Sequence, residues 1–556
     1  MGLPGDQAVT ASNLALVSSA ARTNVSRRTL MGLGIGTITA GLLAACGVSS
    51  TESAASGSDN GGTLTLGIDG TSGVADPAFY TTLGDWMAVD CICRGLTFID
   101  FVTTTPQPDL AERWDISEDG RSYTFHLRQG VTFHDGSAFT SKDVLRSLQR
   151  QFDEKDPTLP EGSSRPLRNI AFNLASLSAP DDSTVQLDLL EPDNTLLHRL
   201  SDIGGRIISA AAIEKYGPEI GKNLVGTGPF KLVSSTAGQS TVMEAFEDYC
   251  KGRPKADRLV LQQVQDASAI ISSLISGDLS ATQFVPYSAV EQLRSNPKVT
   301  VADTPYCFLG MLVMDVRKES LKEIEVRRAI NLAINRQEIV DQAFFGVGAT
   351  PDGYGIPPSQ QGYDPSLADL STYDPEAASA LLEHVGAKGR EIHLMAASDT
   401  WHPRALQIIE QNLTEVGFKV VTELVDPASY SGRLFDPESA GHELMIWERN
   451  SYFPDPDNMI GNVGLSTSVY GGFVGGFGTL PGSAAIDADL KRAKNLPDGA
   501  ERTGLYTDIQ RRFVDELMPV SMLVHSTSVV ASSAAVTGMN ANALATHRCF
   551  AEDARV

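Results

Sequence analysis

Cysteine is scarce in this chain, six residues in 556. That excludes a disulfide scaffold, in which bridges stand in for a hydrophobic core. Basic residues are also short, 44 Lys and Arg against 68 Asp and Glu, for a formal charge of −24. Such a balance argues against nucleic acid, whose phosphates demand concentrated Lys and Arg. A membrane-spanning run is missing too. The charge-free apolar stretch Leu30 to Ala45 reaches only about 24 Å as a helix, short of the ~30 Å hydrocarbon core of a bilayer.

Signatures of bond chemistry are absent as well. None of the nine histidines sits in HExxH or in a spaced Cys/His set, so the sequence offers no zinc site. The run Leu224-Val225-Gly226-Thr227-Gly228-Pro229-Phe230-Lys231 is glycine-rich but lacks the Gly-Lys-Ser/Thr ending of a phosphate loop. Pro229 also removes an amide that an anion nest would use. No GxSxG elbow and no calcium loop occur. Asp455-Pro456-Asp457 reads as a turn rather than an acid pair. The expectation is a protein that is not an enzyme, with no catalytic residue, no metal and no cofactor.

What is present begins with an address. Arg27-Arg28 precede the apolar stretch directly, so residues 1–45 read as a cleaved export signal of the twin-arginine type. Leu43-Ala44-Ala45-Cys46-Gly47 resembles a bacterial lipobox, which implies cleavage before Cys46 and acylation of that residue. Residues 46–62, mostly Ser, Thr, Gly and Ala, then form a flexible tether. The other cysteines are Cys91, Cys93, Cys250, Cys307 and Cys549, expected as mostly buried free thiols. Cys91-Ile92-Cys93 is one residue tighter than CxxC, and on an extended strand both would share a face.

Beyond the tether, strand-like alternation appears at 63–68, 123–127, 184–189, 259–263, 308–313, 390–396, 418–424 and 443–447. Helical patterning appears from Thr140-Ser141 onward and at 267–276, 325–344, 404–416 and 506–517. Strands interleaved with helices of this length imply α/β layers, with sheets covered on both faces.

Four motifs in order carry a family resemblance. They are Leu110-Ala111-Glu112-Arg113-Trp114 running on to Phe133-His134-Asp135-Gly136; Gly226-Thr227-Gly228-Pro229-Phe230; Val326-Arg327-Arg328-Ala329-Ile330-Asn331 onward; and Trp447 followed by Pro454-Asp455-Pro456-Asp457-Asn458. Together they resemble the family 5 solute-binding proteins, the peptide, nickel and opine receptors of ABC importers. The resemblance implies a periplasmic-binding-protein-like type II fold, two α/β lobes with a hinge and an additional subdomain. Lobe I would span 63–304 and include the subdomain. Lobe II would span 305–519, and 520–556 would return to lobe I. The implied receptor is a monomer on the extracytoplasmic face of a bacterial cell membrane, anchored in lipid through Cys46. It would hand a small solute or peptide to ABC permease subunits. A sensing or adhesive surface lipoprotein on the same fold is the alternative.

The resemblance also nominates a ligand site. Early aromatics Phe79, Tyr80 and Trp86 are expected at the cleft, with Met311 near the crossover and Trp447, Tyr452, Phe453 and Tyr470 in the second lobe. In peptide-binding relatives, an Asp three residues after the Trp pairs with the peptide's amino terminus. Counting forward from Trp447 puts Asn450 there; counting back from Asp455-Pro456 puts Tyr452 there. Either way the carboxylate is missing, and Glu448 is the remaining acid. A desolvated ammonium without an anion is costly, so a blocked or cyclic peptide or a non-peptide solute is favoured over ordinary short peptides. The Phe-His-Asp-Gly and Gly-Thr-Gly-Pro motifs read as scaffold, the second near the hinge.

Overall fold

The computed structural model describes residues 61–556 except 80, 101–103, 164, 168–172, 265, 304–307, 435–441, 451–453, 469–473, 540–548 and 550. The expected signal, Cys46 and the tether to residue 60, Tyr80, Pro305, Cys307, Tyr452, Phe453 and Tyr470 lie outside the described residues.

Strand β1 (Thr63–Ile68) buries Leu64, Leu66 and Ile68. Helix α1 (Leu83–Ile92) follows, opened by Thr82, whose side chain accepts the Asp85 amide. Every residue from Gly84 to Ile92 is buried. A helix buried all round has no apolar stripe, so periodicity does not reveal it. Cys91 thus lies in a helix that Cys93 caps, so the shared face that an extended strand would give the pair does not arise. Cys91, Cys93 and Cys549 are buried free thiols, whereas Cys250 is free and exposed.

Next come a short hairpin, β2 (Thr97–Asp100) and β3 (Thr105–Pro108), and a subdomain sheet. That sheet holds β4 (Ala111–Ile116), β5 (Ser122–Leu127), β6 (Leu174–Asp181) and β7 (Thr184–Leu189) in the order β4-β5-β7-β6. Helix α2 (Ser141–Phe152) packs on β6 and β7. As its sequence predicts, Thr140 and Asp143 bond one another at its start, the Thr140 amide reaching Asp143 Oδ2 at 2.9 Å.

The first lobe continues with β8 (Phe230–Thr236), β9 (Ser240–Ala245), β10 (Arg258–Gln263), β11 (Ala281–Thr282) and β12 (Val299–Asp303). The second lobe holds β13 (Phe308–Met314), β14 (Glu391–Ala397), β15 (Lys419–Val425), β16 (Leu444–Asn450) and β17 (Val520–Ser526), ordered β15-β14-β16-β13-β17. Finally β18 (Val529–Ser533) completes the first sheet, ordered β12-β18-β11-β1-β10-β9-β8. The return to the first lobe therefore falls between Ser526 and Val529, later than the expected 520, because Val520 to Ser526 pair along β13. Two adjacent crossings, β12 to β13 and β17 to β18, make the hinge. Asp303 pairs with Val529 on one side of it and Phe308 with Ser526 on the other.

The helical pattern over 325–344 resolves into two helices, Ile324–Ala333 and Arg336–Ala343. Asn335 breaks the run: its side chain accepts the Glu338 amide, and its own amide donates to Asn412 Oδ1 at 2.9 Å. Arg336 opens the second helix fully buried, donating to the carbonyls of Met522, Asn331 and Ser371.

Separate cores fill the second lobe, the first lobe and the subdomain. Two sequence motifs meet as scaffold. The His134 amide donates to Gly226 O at 3.0 Å, and His134 Nε2 lies 2.9 Å from Gly228 O. Both glycines press on the end of α1, where a Cβ would stand 2.1 Å from Ile92 O at Gly226 and 2.5 Å from Cys91 O at Gly228. Their place is thus against α1 rather than at the hinge. Among the described residues no helix is long and apolar enough to cross a membrane.

Candidate functional site

Register locates the space between the lobes. In the first sheet Val529 follows the hinge, Ala531 pairs with Thr282, and Thr282 pairs with Gly67. β1 therefore runs toward the hinge, and Asp69, just past its end, stands at the edge facing the second lobe. Asp69 keeps exposed surface yet is hemmed in by protein. That desolvation, with the Asp85 carboxylate nearby, pushes its pKa up to about 6.

In the second sheet Phe308 opposes Asn450, and Gly310 opposes Glu448. Glu448 thus sits near the hinge end of β16. Gly310 is placed for space: a Cβ there would lie 3.1 Å from Trp401 Cη2 and 2.6 Å from Val524 Cγ1. The gap lets the Trp401 indole lie across β13. From there Trp401 Nε1 donates to Glu448 Oε2 at 3.0 Å, and His402 Nε2 lies 3.7 Å from the same oxygen. The His402 ring stacks on Trp401 at 4.4 Å.

Aromatic contact continues across the hinge. Phe344 packs 5.0 Å from Trp401 and 5.0 Å from Tyr287, which the first lobe supplies between β11 and β12. Ser526 Oγ donates to Tyr287 OH at 3.0 Å. Glu448 retains 35% of its side-chain exposure beside nearly buried Trp401 and His402, so its carboxylate is within reach of solvent. Burial raises its pKa; the neighbouring His402 and the Trp401 N–H oppose that rise. A carboxylate held this way can accept hydrogen bonds from an ammonium, while the buried rings of Trp401 and His402 fix its position from behind.

The expected ligand residues fare unevenly. Trp86 is 1% exposed in the first-lobe core and Met311 is fully buried in the second-lobe core, so both serve packing in this conformation. Trp447, paired with Met311 across the strands, is half-buried against the same core. Phe79 is half-buried near Gly162, its amide bonded to Asp76 O at 3.0 Å. Asn450 ends β16, opposite Phe308. Asp69, Tyr287, Trp401 and His402 were not nominated by the sequence. A legible signal exists for Trp401 alone: Gly310, a lone glycine inside an apolar strand, whose missing Cβ leaves room for the indole.

A cavity of about 420 Å³ opens beside the hinge, lined by Arg294, Asp303, Gly348, Pro357, His525 and Thr527 among others. Its charged pair is satisfied internally, Arg294 to Asp303 at 2.8 Å, which leaves the Glu448 cluster as the better-furnished site. Among the described residues no group of three or more His, Cys, Asp or Glu could hold a metal ion.

Comparison with known proteins agrees with this architecture. The chain is 29% identical over 485 residues to di/tripeptide-binding protein 1 of Pseudomonas aeruginosa, covering 83% of this chain and 88% of that one. It is 30% identical over 461 residues to heme-binding protein A of Haemophilus influenzae, covering 78% and 82%. It superposes with a TM-score of 0.75, at 25% identity, on the ABC transporter-associated periplasmic binding protein DppA of Helicobacter pylori in complex with the peptide STSA, covering 89% and 98%. The fold is the two-lobed, type II periplasmic-binding-protein-like fold. The family model for bacterial extracellular solute-binding proteins, family 5 middle, matches residues 105–471. This chain belongs to the family 5 extracellular solute-binding proteins, receptors that bind rather than transform their ligands.

Proposed function

We propose that this protein is an extracytoplasmic receptor that closes around an amine-bearing, peptide-like solute and presents it to an ABC permease. The observation that carries the reading is Glu448, an accessible carboxylate at the junction of the lobes, oriented by Trp401. It restores, from a different strand position, the negative charge that Asn450 or Tyr452 fails to supply, so free amino termini become acceptable again. The names of the relatives support peptides as the first class to try. Cys46 is proposed as the acylated anchor, with the receptor working as a monomer. Phe79, Trp447, Asn450, Tyr80, Tyr452, Phe453 and Tyr470 remain proposed contributors to the cleft wall. Ligand drives closure only by the margin with which it prefers the closed form.

Calorimetric titration with short peptides, free or acetylated at the amino terminus, tests the reading. Free peptides are expected to bind, and Glu448→Gln to weaken them about 10–100-fold, the range of a hydrogen bond to a charged group. Acetylated peptides should bind poorly and be indifferent to that substitution. Equal binding of both peptide forms, unchanged by Glu448→Gln, would sink the amine assignment. Silence toward every peptide would sink the peptide class.

A further inference from the structure

Asp455-Pro456-Asp457 is buried, and it leads to a contact that solute binding does not explain. Asp455 is used within the second lobe, where Arg502 Nη2 meets it at 2.8 Å. Asp457 instead faces the subdomain, where Arg199 Nη2 reaches it at 3.1 Å. Two lysines on the second-lobe helix Ser483–Asn495 extend the contact. Lys494 lies 2.8 Å from Asp193, and Lys491 lies 2.8 Å from Glu191. Between them the Asn194 amide donates to Lys494 O at 3.2 Å, and Asn194 Nδ2 donates to Asp498 Oδ1 at 2.9 Å. The subdomain side is stiffened in advance. Asp193 Oδ1 accepts from the Thr195 amide and hydroxyl, and Thr195 Oγ1 in turn accepts from Arg199 Nε.

Burial separates this contact from the ties that bind the subdomain to the first lobe. Arg150 meets Asp76, and Arg206 meets Asp90, each at 2.7 Å, with every partner at most 2% exposed. Charges so placed cannot part without stranding one another in a dry interior, so those ties are permanent. The cations joining the subdomain to the second lobe are wetter, at 20% for Arg199, 30% for Lys494 and 63% for Lys491, although Asp457 and Asp193 are themselves largely covered. Water and salt reach the cation of each pair, so these bonds part at less cost than the fully buried ones. Among the described residues the lobes are therefore joined ionically where residues 190–199 meet the second lobe, apart from the covalent crossings and the aromatic contact at the hinge.

We propose that this second junction is an ionic latch, holding an appreciable share of the receptor closed in the absence of solute. Three pairs of modest strength are enough to shift a closed-to-open ratio about tenfold. A receptor biased this way needs less from its ligand, so its apparent affinity rises with the latched fraction. The inference goes beyond the nature of the solute and does not depend on it.

Small-angle X-ray scattering of the full, ligand-free protein tests it. At low ionic strength the curve should match the closed form, and about 0.5 M salt, where screening reaches only a few Å, should shift it to a larger radius of gyration. The variant K491E/K494E, which sets like charges against Glu191 and Asp193, should show the larger radius already at low salt, with an unchanged circular-dichroism spectrum. The swap E191K/K491E should return it toward the closed value relative to K491E alone. A radius that ignores both salt and charge reversal, or a wild-type protein already open at low salt, overturns the latch. Should the double variant misfold, the salt titration of the wild type decides alone.

Discussion

At the scale of single residues, the site depends on one missing side chain. Gly310 has no need of unusual backbone angles; it is needed because Trp401 and Val524 occupy the space a Cβ would take. Gly310→Ala is therefore expected to overpack the site and cost about 1–3 kcal/mol. It should also tilt the indole away from Glu448 and so weaken ligand binding. Denaturant melts followed by tryptophan emission, together with the peptide titration, check both effects. Unaltered stability and affinity would show that Trp401 is not held as the geometry requires. Glu448 was visible in the sequence only as a leftover acid. Its role depends on which face of β16 it occupies and on an indole 47 positions earlier in the chain, and no local pattern encodes either.

At the scale of elements, two helices differ instructively from their sequence patterns. α1 escapes periodicity because it is buried on every side, its two aspartates Asp85 and Asp90 included, whereas the pattern over 325–344 suggests one element although Asn335 divides it in two. The divided helix gains a specific duty at its second start. Arg336 is buried without a carboxylate, and burial lowers its pKa to about 10. It is held by carbonyls of Met522, Asn331 and Ser371 and by Ser521 Oγ. Those bonds tie the helix to β17, next to the hinge. Arg336→Met fills similar volume but leaves several buried acceptors bare, each costing about 1–3 kcal/mol. A loss of at least ~3 kcal/mol is expected in urea unfolding of the second lobe. A loss below ~1 kcal/mol would mean that water or relaxation satisfies those carbonyls.

At the scale of the whole molecule, acid should weaken the fold. Burial holds His134, His442 and His525 each at a pKa of about 4, against ~6.5 in an unfolded chain. Between these values the unfolded chain binds protons that the native protein refuses. The stability involved is complete above pH 6.5 and is lost as pH falls toward 4, by about 1.4 kcal/mol per unit for each histidine. Burial lowers His198 in the same way. Asp69, Glu448 and Asp457, whose pKa values burial raises, act in the opposite sense and recover part of the loss. The net slope is still destabilising, with four histidines opposed by at most three carboxylates. Urea midpoints at pH 7, 5.5 and 4.5 should fall in that order, and His525→Gln should flatten the slope. A midpoint that is level or rises on acidification would contradict the buried, neutral state of these rings.

The sequence alone determined the layered α/β class, most of the strand positions and the order of the family motifs, because period-two alternation, helix caps and turn residues act over a few neighbours. It also set the expectation of export and lipid attachment, which short contiguous signals carry. Only the tertiary structure decided that Trp86 and Met311 belong to cores and that β17 stays with the second lobe. It alone brought Trp401, His402 and Glu448 together and set residues 190–199 against the helix Ser483–Asn495. The physical reason is the same in each case. Which face of an element is buried, and which distant charge it meets, is fixed by packing between segments far apart in the chain, and no window of adjacent residues contains that information.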